Sequence, residues 1–191
     1  MIRAFIAVDL DPQVVGNICR AINGLRTMIP GIRWVSSKNF HLTLKFLGDI
    51  EEIRIDEIGA ALADKICPFP RLSINAKGLG VFPNLRRPRI LWVGLAGGAL
   101  TTLAARVESA LQPFGFVAER RPFTPHLTIG RWRKFDRPPK TLGETLASWD
   151  NREFGESVVD KIVLYQSVLK PEGATYQTLK VVALKSETSG A

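Results

Sequence analysis

Both histidines of this chain open the same pattern: His41-Leu42-Thr43-Leu44, and His126-Leu127-Thr128-Ile129 85 positions later (126 − 41). At ordinary residue frequencies, a second histidine would be followed by Leu-Thr about once in 200 tries. On a strand, residues i and i+2 share a face. Each segment therefore carries an imidazole and a hydroxyl on one side and two aliphatic side chains on the other. Two such strands, related by approximate two-fold symmetry, would set two imidazoles across a cleft with a core behind them. A length of 191 residues suits a single domain over 1–191, including one built from two fused half-size lobes.

Periodicity and turn residues predict the rest of the chain. Strands are expected at 2–8, 32–36 and 41–47, with helices over 11–28, introduced by Asp11-Pro12, and over 50–66. The second half is patterned alike, with strands at 71–79 and 89–95, a helix at 98–112 closed by Pro113, and a strand at 126–131 after Thr124-Pro125. A short helix at 142–149 precedes two final strands, 157–167 and 174–184, joined by a turn at Pro171-Glu172-Gly173. Several strand pairs have connections too short for a crossover helix. The expected class is α+β, a mixed or antiparallel arrangement and not a doubly wound parallel sheet.

Hydrophobic content of 46% and charged content of 23% are ordinary for a soluble globular protein. The net charge of +8 favours polyanionic partners, nucleic acid ahead of a membrane surface. Cys19 and Cys67 are too few and too far apart for a disulfide framework or a C-x-x-C pair. No apolar run is long enough for a signal peptide or a membrane span, so a cytoplasmic protein is expected. No heptad seam occurs, and monomer is the default.

In-line displacement at a phosphodiester needs a base for the attacking oxygen and an acid for the leaving one, on opposite sides of phosphorus. Two facing imidazoles supply both. Thr43 and Thr128 hydroxyls suit the non-bridging oxygens. This chemistry requires no metal and no cofactor. Zinc chemistry is disfavoured by the lack of a third histidine, a C-x-x-C or an H-E-x-x-H. No G-x-S-x-G elbow and no G-x-x-x-x-G-K-[ST] loop is present either. For one histidine alone, a structural, hydrogen-bonded role would be the better reading; the doubled motif reverses that.

Arg3-Ala4-Phe5-Ile6-Ala7-Val8, Asn39-Phe40-His41-Leu42-Thr43-Leu44-Lys45-Phe46-Leu47-Gly48, Phe82-Pro83, Arg89-Ile90-Leu91-Trp92 and Pro125-His126-Leu127-Thr128-Ile129-Gly130-Arg131 resemble the two-histidine phosphoesterase superfamily. Leu164-Tyr165-Gln166-Ser167 and Tyr176 also fit. Within it, the chain is most similar to the RNA 2′,3′-cyclic phosphodiesterases, also called the 2′-5′ RNA ligase family. The resemblance runs in order over nearly the whole chain. It implies a bilobal α+β fold, two pseudo-symmetric lobes with antiparallel sheets lining a central cleft and helices outside. It also implies hydrolysis of terminal 2′,3′-cyclic phosphates to 2′-phosphates, and a weak reverse activity joining 2′,5′ ends. Its implied partner is RNA with 2′,3′-cyclic phosphate ends, tRNA fragments included. The contexts of the two histidines do not decide their roles; the working assignment makes His41 the acid and His126 the base.

Arg131 matches the family's arginine at the end of the second motif. Strict alternation puts it opposite His126, so it reaches phosphate only if the strand bends or ends at Gly130; the alternative is a surface salt bridge. Lys45 shares the His41 face by parity, where it contacts substrate or lines the rim. Phe46, Phe82 and Trp92 are aromatics able to stack a nucleobase or to serve as core. Arg86-Arg87-Pro88-Arg89 and Arg131, Arg133, Lys134, Arg137 and Lys140 are the densest basic stretches, either an RNA track or solvated loops. The rival functions are a phosphoesterase acting on a small cyclic-phosphate nucleotide derivative and a non-catalytic module that binds RNA ends.

Overall fold

The computed structural model describes residues 1–170 and 173–186. In chain order these form β1 (Ile2–Val8), α1 (Pro12–Met28), β2 (Arg33–Trp34), β3 (Leu42–Ile50), α2 (Ile55–Ile66), β4 (Leu72–Phe82) and β5 (Ile90–Ala96). There follow α3 (Leu100–Leu111), β6 (His126–Arg131), α4 (Leu142–Trp149), β7 (Glu153–Val159), β8 (Lys161–Lys170) and β9 (Gly173–Ala183). Pro171 and Glu172 of the expected turn lie outside the described residues. Among the described residues no helix is long and apolar enough to cross a membrane.

The strands join one curled sheet in the order β7-β4-β5-β6-β3-β1-β8-β9, with β2 on the end of β6. All its ladders are antiparallel, as the short connections require. At its centre β3 and β6 meet on the rung Leu42↔Leu127, the middle of both His-Leu-Thr motifs. The sheet repeats outward from that rung: β1 flanks β3 as β5 flanks β6, and β8-β9 continue one side as β4-β7 continue the other. The lobes are thus two halves of one sheet, not two sheets. Nor are they contiguous in sequence, because the C-terminal hairpin β8-β9 completes the half that β1 and β3 begin.

Helices cover one face only. On α1, Val14, Ile18, Ile22 and Leu25 form a buried stripe at helical spacing. Each such aliphatic side chain contributes about 1.5–3 kcal/mol by leaving water. They share one core with Ile6 and Val8 of β1, Leu42 and Leu127 of the central rung, and Leu62, Leu103 and Val107 of α2 and α3. Asp11 precedes α1, but its side chain does not cap the helix. Its carboxylate accepts the Val158 N–H at 2.9 Å and its own N–H donates to Ser157 Oγ at 2.8 Å, tying α1 to β7.

One expected strand is really two. The predicted 157–167 is split at Asp160, where the chain leaves β7 at one end of the sheet and enters β8 near the other. Asp is disfavoured inside strands, and here its carbonyl accepts the Leu184 N–H at 2.8 Å across the corner. The expected helix at 50–66 begins only at Ile55, because β3 runs on to Ile50 and a 3₁₀ turn, Glu52–Arg54, intervenes.

Candidate active site

The two motifs lie side by side, backs in the core. Leu42 and Leu127 are buried beneath the sheet. One residue out from their rung, His41 falls against Thr128 and Thr43 against His126. The four polar side chains so occupy one patch on the open face.

Each imidazole is gripped in the same way. His41 Nδ1–H donates to the Asn39 carbonyl at 2.9 Å, and His126 Nδ1–H to the Thr124 carbonyl at 2.7 Å. A carbonyl only accepts, so Nδ1 carries the proton in both rings and the Nε2 atoms are left for chemistry. Thr43 Oγ1 lies 3.0 Å from His41 Nε2. The loop before His41 is itself fixed, since Asn39 Nδ2 donates to the Ala174 carbonyl of β9 at 2.7 Å.

Beyond Thr43 and Thr128, simple alternation fails twice, and in the same place. In β3 the ladder to β1 runs Ala7↔Thr43 then Ile6↔Lys45, leaving Leu44 unpaired. In β6 the ladder to β5 runs Trp92↔Thr128 then Leu91↔Gly130, leaving Ile129 unpaired. These are β-bulges, and each flips the parity of the residues after it. Arg131 consequently returns to the open face, where its positive charge acts on His41, His126 and Tyr176. Phe46 does the same beside Phe5, ring centroids 6.2 Å apart, and is 64% exposed.

Lys45 goes the other way, correcting its assignment by parity to the His41 face. It is 4% exposed on the helix side of the sheet. Its Nζ donates to Glu108 Oε1 and to the Val117 carbonyl, both at 2.6 Å. It clamps α3 and the loop after it. The structure therefore brings His41, His126, Thr43, Thr128, Arg131 and Phe46 together and leaves Lys45 out.

Aromatic rings wall the patch. Phe5 and Tyr176 contact His41, at 4.8 and 5.1 Å between centroids. Phe82 meets His126 edge-on at 4.9 Å, with Trp92 behind it at 6.4 Å. Trp92 lies where a Cβ on Gly80 would stand, which explains a glycine in mid-strand there. Sequence reasoning misses Phe5, Tyr165 and Asp9 as site residues. The alternation Phe5-Ala7-Asp9 along β1 and past its end could find the first and last of these, but it carries no signal for Tyr165 on β8.

Burial lowers the pKa of His41 to about 4 against the help of the Asn39 carbonyl and the Asp9 carboxylate, with Arg131 and His126 lowering it further. Burial likewise lowers His126, opposed by its bond to Thr124 and aided by Arg131. At pH 7 both histidines are thus neutral bases, and a bound phosphate monoanion favours protonating one of them. Among the described residues no three His, Cys, Asp or Glu side chains cluster as a metal site.

Fold and site together define a phosphoesterase of the two-histidine class. The family model "LigT like Phosphoesterase" matches the chain twice, over residues 8–92 and 94–176, one match per motif. An Aquifex aeolicus protein named RNA 2′,3′-cyclic phosphodiesterase is 42% identical over 186 residues, covering 94% of this chain and 96% of its own. One of the same name from Aeropyrum pernix is 37% identical over 180 residues, covering 93% and 99%. Among solved structures, a Thermus thermophilus protein superposes with a TM-score of 0.82 at 26% identity, covering 97% of this chain and 100% of its own. Escherichia coli LigT complexed with 3′-AMP gives 0.74 at 25% identity, covering 96% and 98%. The chain belongs to the LigT-like phosphoesterase family, and it is a hydrolase.

Proposed function

We propose that this protein hydrolyses terminal 2′,3′-cyclic phosphates of RNA to 2′-phosphates, using its two histidines as acid and base and no metal. The observation that carries this is the matched pair of imidazoles, each with Nδ1–H tied to the carbonyl two residues earlier and Nε2 turned to one patch. The names of the Aquifex and Aeropyrum relatives support the substrate.

Water attacks phosphorus while His126 Nε2 takes its proton. The P–O3′ bond breaks, and His41 Nε2–H protonates the departing oxygen. The products are a 3′-hydroxyl and a 2′-phosphate. Thr43 and Thr128 hydroxyls donate to the non-bridging oxygens, and Arg131 offsets the charge that builds there. Phe46, exposed beside the patch, stacks the terminal base. If an RNA 5′-hydroxyl replaces water, the same displacement joins the two ends by a 2′,5′ bond.

The basic loops extend the site along the RNA. Arg89 donates to the Arg133 carbonyl, which draws the 82–89 and 131–140 segments together at the Arg131 end of β6. Exposed Phe135, with Lys134 against its ring at 5.7 Å, lies on the same loop. Basic side chains interleaved with an aromatic suit a single strand.

The test is to incubate the protein with 2′,3′-cyclic AMP and with a short RNA bearing a 2′,3′-cyclic end, and to locate the product phosphate by ³¹P NMR. A 2′-phosphate from both is expected, with the RNA reaction weakening steeply as salt is added. A 3′-phosphate, or binding of both without turnover, would contradict the reading.

A further inference from the structure

The two motifs repeat after 85 residues, yet an acid–base cycle needs one histidine protonated and the other neutral. The sheet register shows where the symmetry breaks. The β5-β6 ladder runs Val93↔Leu127 and then Gly94↔His126. The β1-β3 ladder ends on the equivalent rung, Val8↔Leu42, and the next residues out are Asp9 and His41. Asp9 and Gly94 are thus counterparts under the repeat. One histidine has a carboxylate across from it, and the other has a glycine.

Asp9 is held in place. The Tyr165 hydroxyl reaches both its carboxylate oxygens at 2.9 Å. The Tyr165 ring stacks on Phe5 at 5.5 Å, and Phe5 packs on His41 at 4.8 Å. Burial, and then the bond to Asp9, push the Tyr165 hydroxyl well above its usual range, so it stays a donor at working pH. Asp9 touches neither ring nitrogen of His41, since Nδ1 is taken by Asn39 and Nε2 faces Thr43. It acts through space.

The groups around His41 are Phe5 and Asp9 from β1 and its end, Tyr176 from β9, and His126 and Arg131 from β6, with Tyr165 of β8 behind Phe5 and Asp9. Asp9 is the anion among them; Arg131 has the opposite sign. We infer that Asp9, tethered by Tyr165, is the positioning residue that makes His41 the proton donor and leaves His126 as the base. This rests on the two-histidine reaction proposed above. Burial works against a proton on His41 and the Asp9 carboxylate works for one, whereas Gly94 offers His126 no such charge; a bound phosphate adds to Asp9 in charging His41.

With only two histidines in the chain, NMR titration can follow both imidazoles, in the free protein and saturated with 2′-AMP. Asp9→Asn keeps the size and a hydrogen-bond acceptor for Tyr165 but drops the charge. It should lower the proton affinity of His41 about tenfold and leave that of His126 within about twofold. Turnover of 2′,3′-cyclic AMP at pH 7 should fall about tenfold in kcat with KM little changed, and Asp9→Glu should recover most of the loss. An unchanged His41 titration in Asp9→Asn, or equal shifts of both histidines, would overturn the inference. So would a failure of Asp9→Glu to restore the His41 titration, which would make the effect one of packing. A wild type without activity would sink the functional reading and this assignment with it, whereas turnover by the wild type with an unchanged His41 titration in Asp9→Asn would sink this assignment alone.

Discussion

His41 gives up solvation to be useful. Its ordinary pKa of about 6.5 is lowered to about 4 in the folded protein, chiefly by burial. Below about pH 6.5 the unfolded chain therefore binds a proton that the folded one refuses. Stability is fully present above about pH 6.5, falls as pH drops towards 4, and levels off below that. The size is on the order of 3 kcal/mol at the bottom of that window. His41→Gln should remove much of this acid sensitivity. Denaturant midpoints at about pH 7.5 and about pH 4.5 should differ clearly less in the variant than in the wild type. An equal loss in both would show that His41 is not held neutral. The bond from Nδ1 to the Asn39 carbonyl is not legible in the sequence, which shows only a polar residue, Asn39 or Thr124, two places before each motif histidine.

At the scale of elements, the His-x-Thr strands and the aliphatic stripes of the helices are legible because periodicity reports burial directly. The residues after the threonines are not, because a bulge leaves no fixed sequence mark while inverting every later side chain. Strict alternation thereby puts Lys45 and Arg131 on the wrong sides of their strands, and Leu44 and Ile129 are the reason. The difference has a measurable consequence for Lys45. Removing one partner of a buried ion pair costs about 3–5 kcal/mol, less where the other partner can reach water, and the Glu108 side chain is 22% exposed. Lys45→Ala should lower unfolding free energy by about 2–4 kcal/mol, with kcat/KM at low temperature close to wild type. A stable Lys45→Ala protein that had lost turnover would return the lysine to the active site.

For the whole molecule, the repeat explains the architecture better than the order of the chain does. Helix α1 leaves the β1 half and packs against β7 of the other, while α3 leaves the β5 half and packs against β3. The hairpin β8-β9, last in sequence, is needed to finish the first half and to bring Tyr176 beside His41 and Tyr165 onto Phe5 and Asp9. Each half thus relies on a helix of the other to cover part of its sheet, so thermal unfolding should be one transition, with equal calorimetric and van't Hoff enthalpies. Two separable transitions would mean that the halves fold independently. The exchange of helices is hidden from a local reading of the sequence, because periodicity says that a face is buried and not what covers it.

The most direct measurement is single-turnover hydrolysis of 2′,3′-cyclic AMP in excess EDTA by the wild type, His41→Ala, His126→Ala and the double variant. Full wild-type activity is expected, with each single variant slower by about 10²–10⁴-fold and the double variant little worse than either. Loss of wild-type activity in EDTA, or near-normal turnover by one of the single variants, would contradict a reaction run by this pair of histidines.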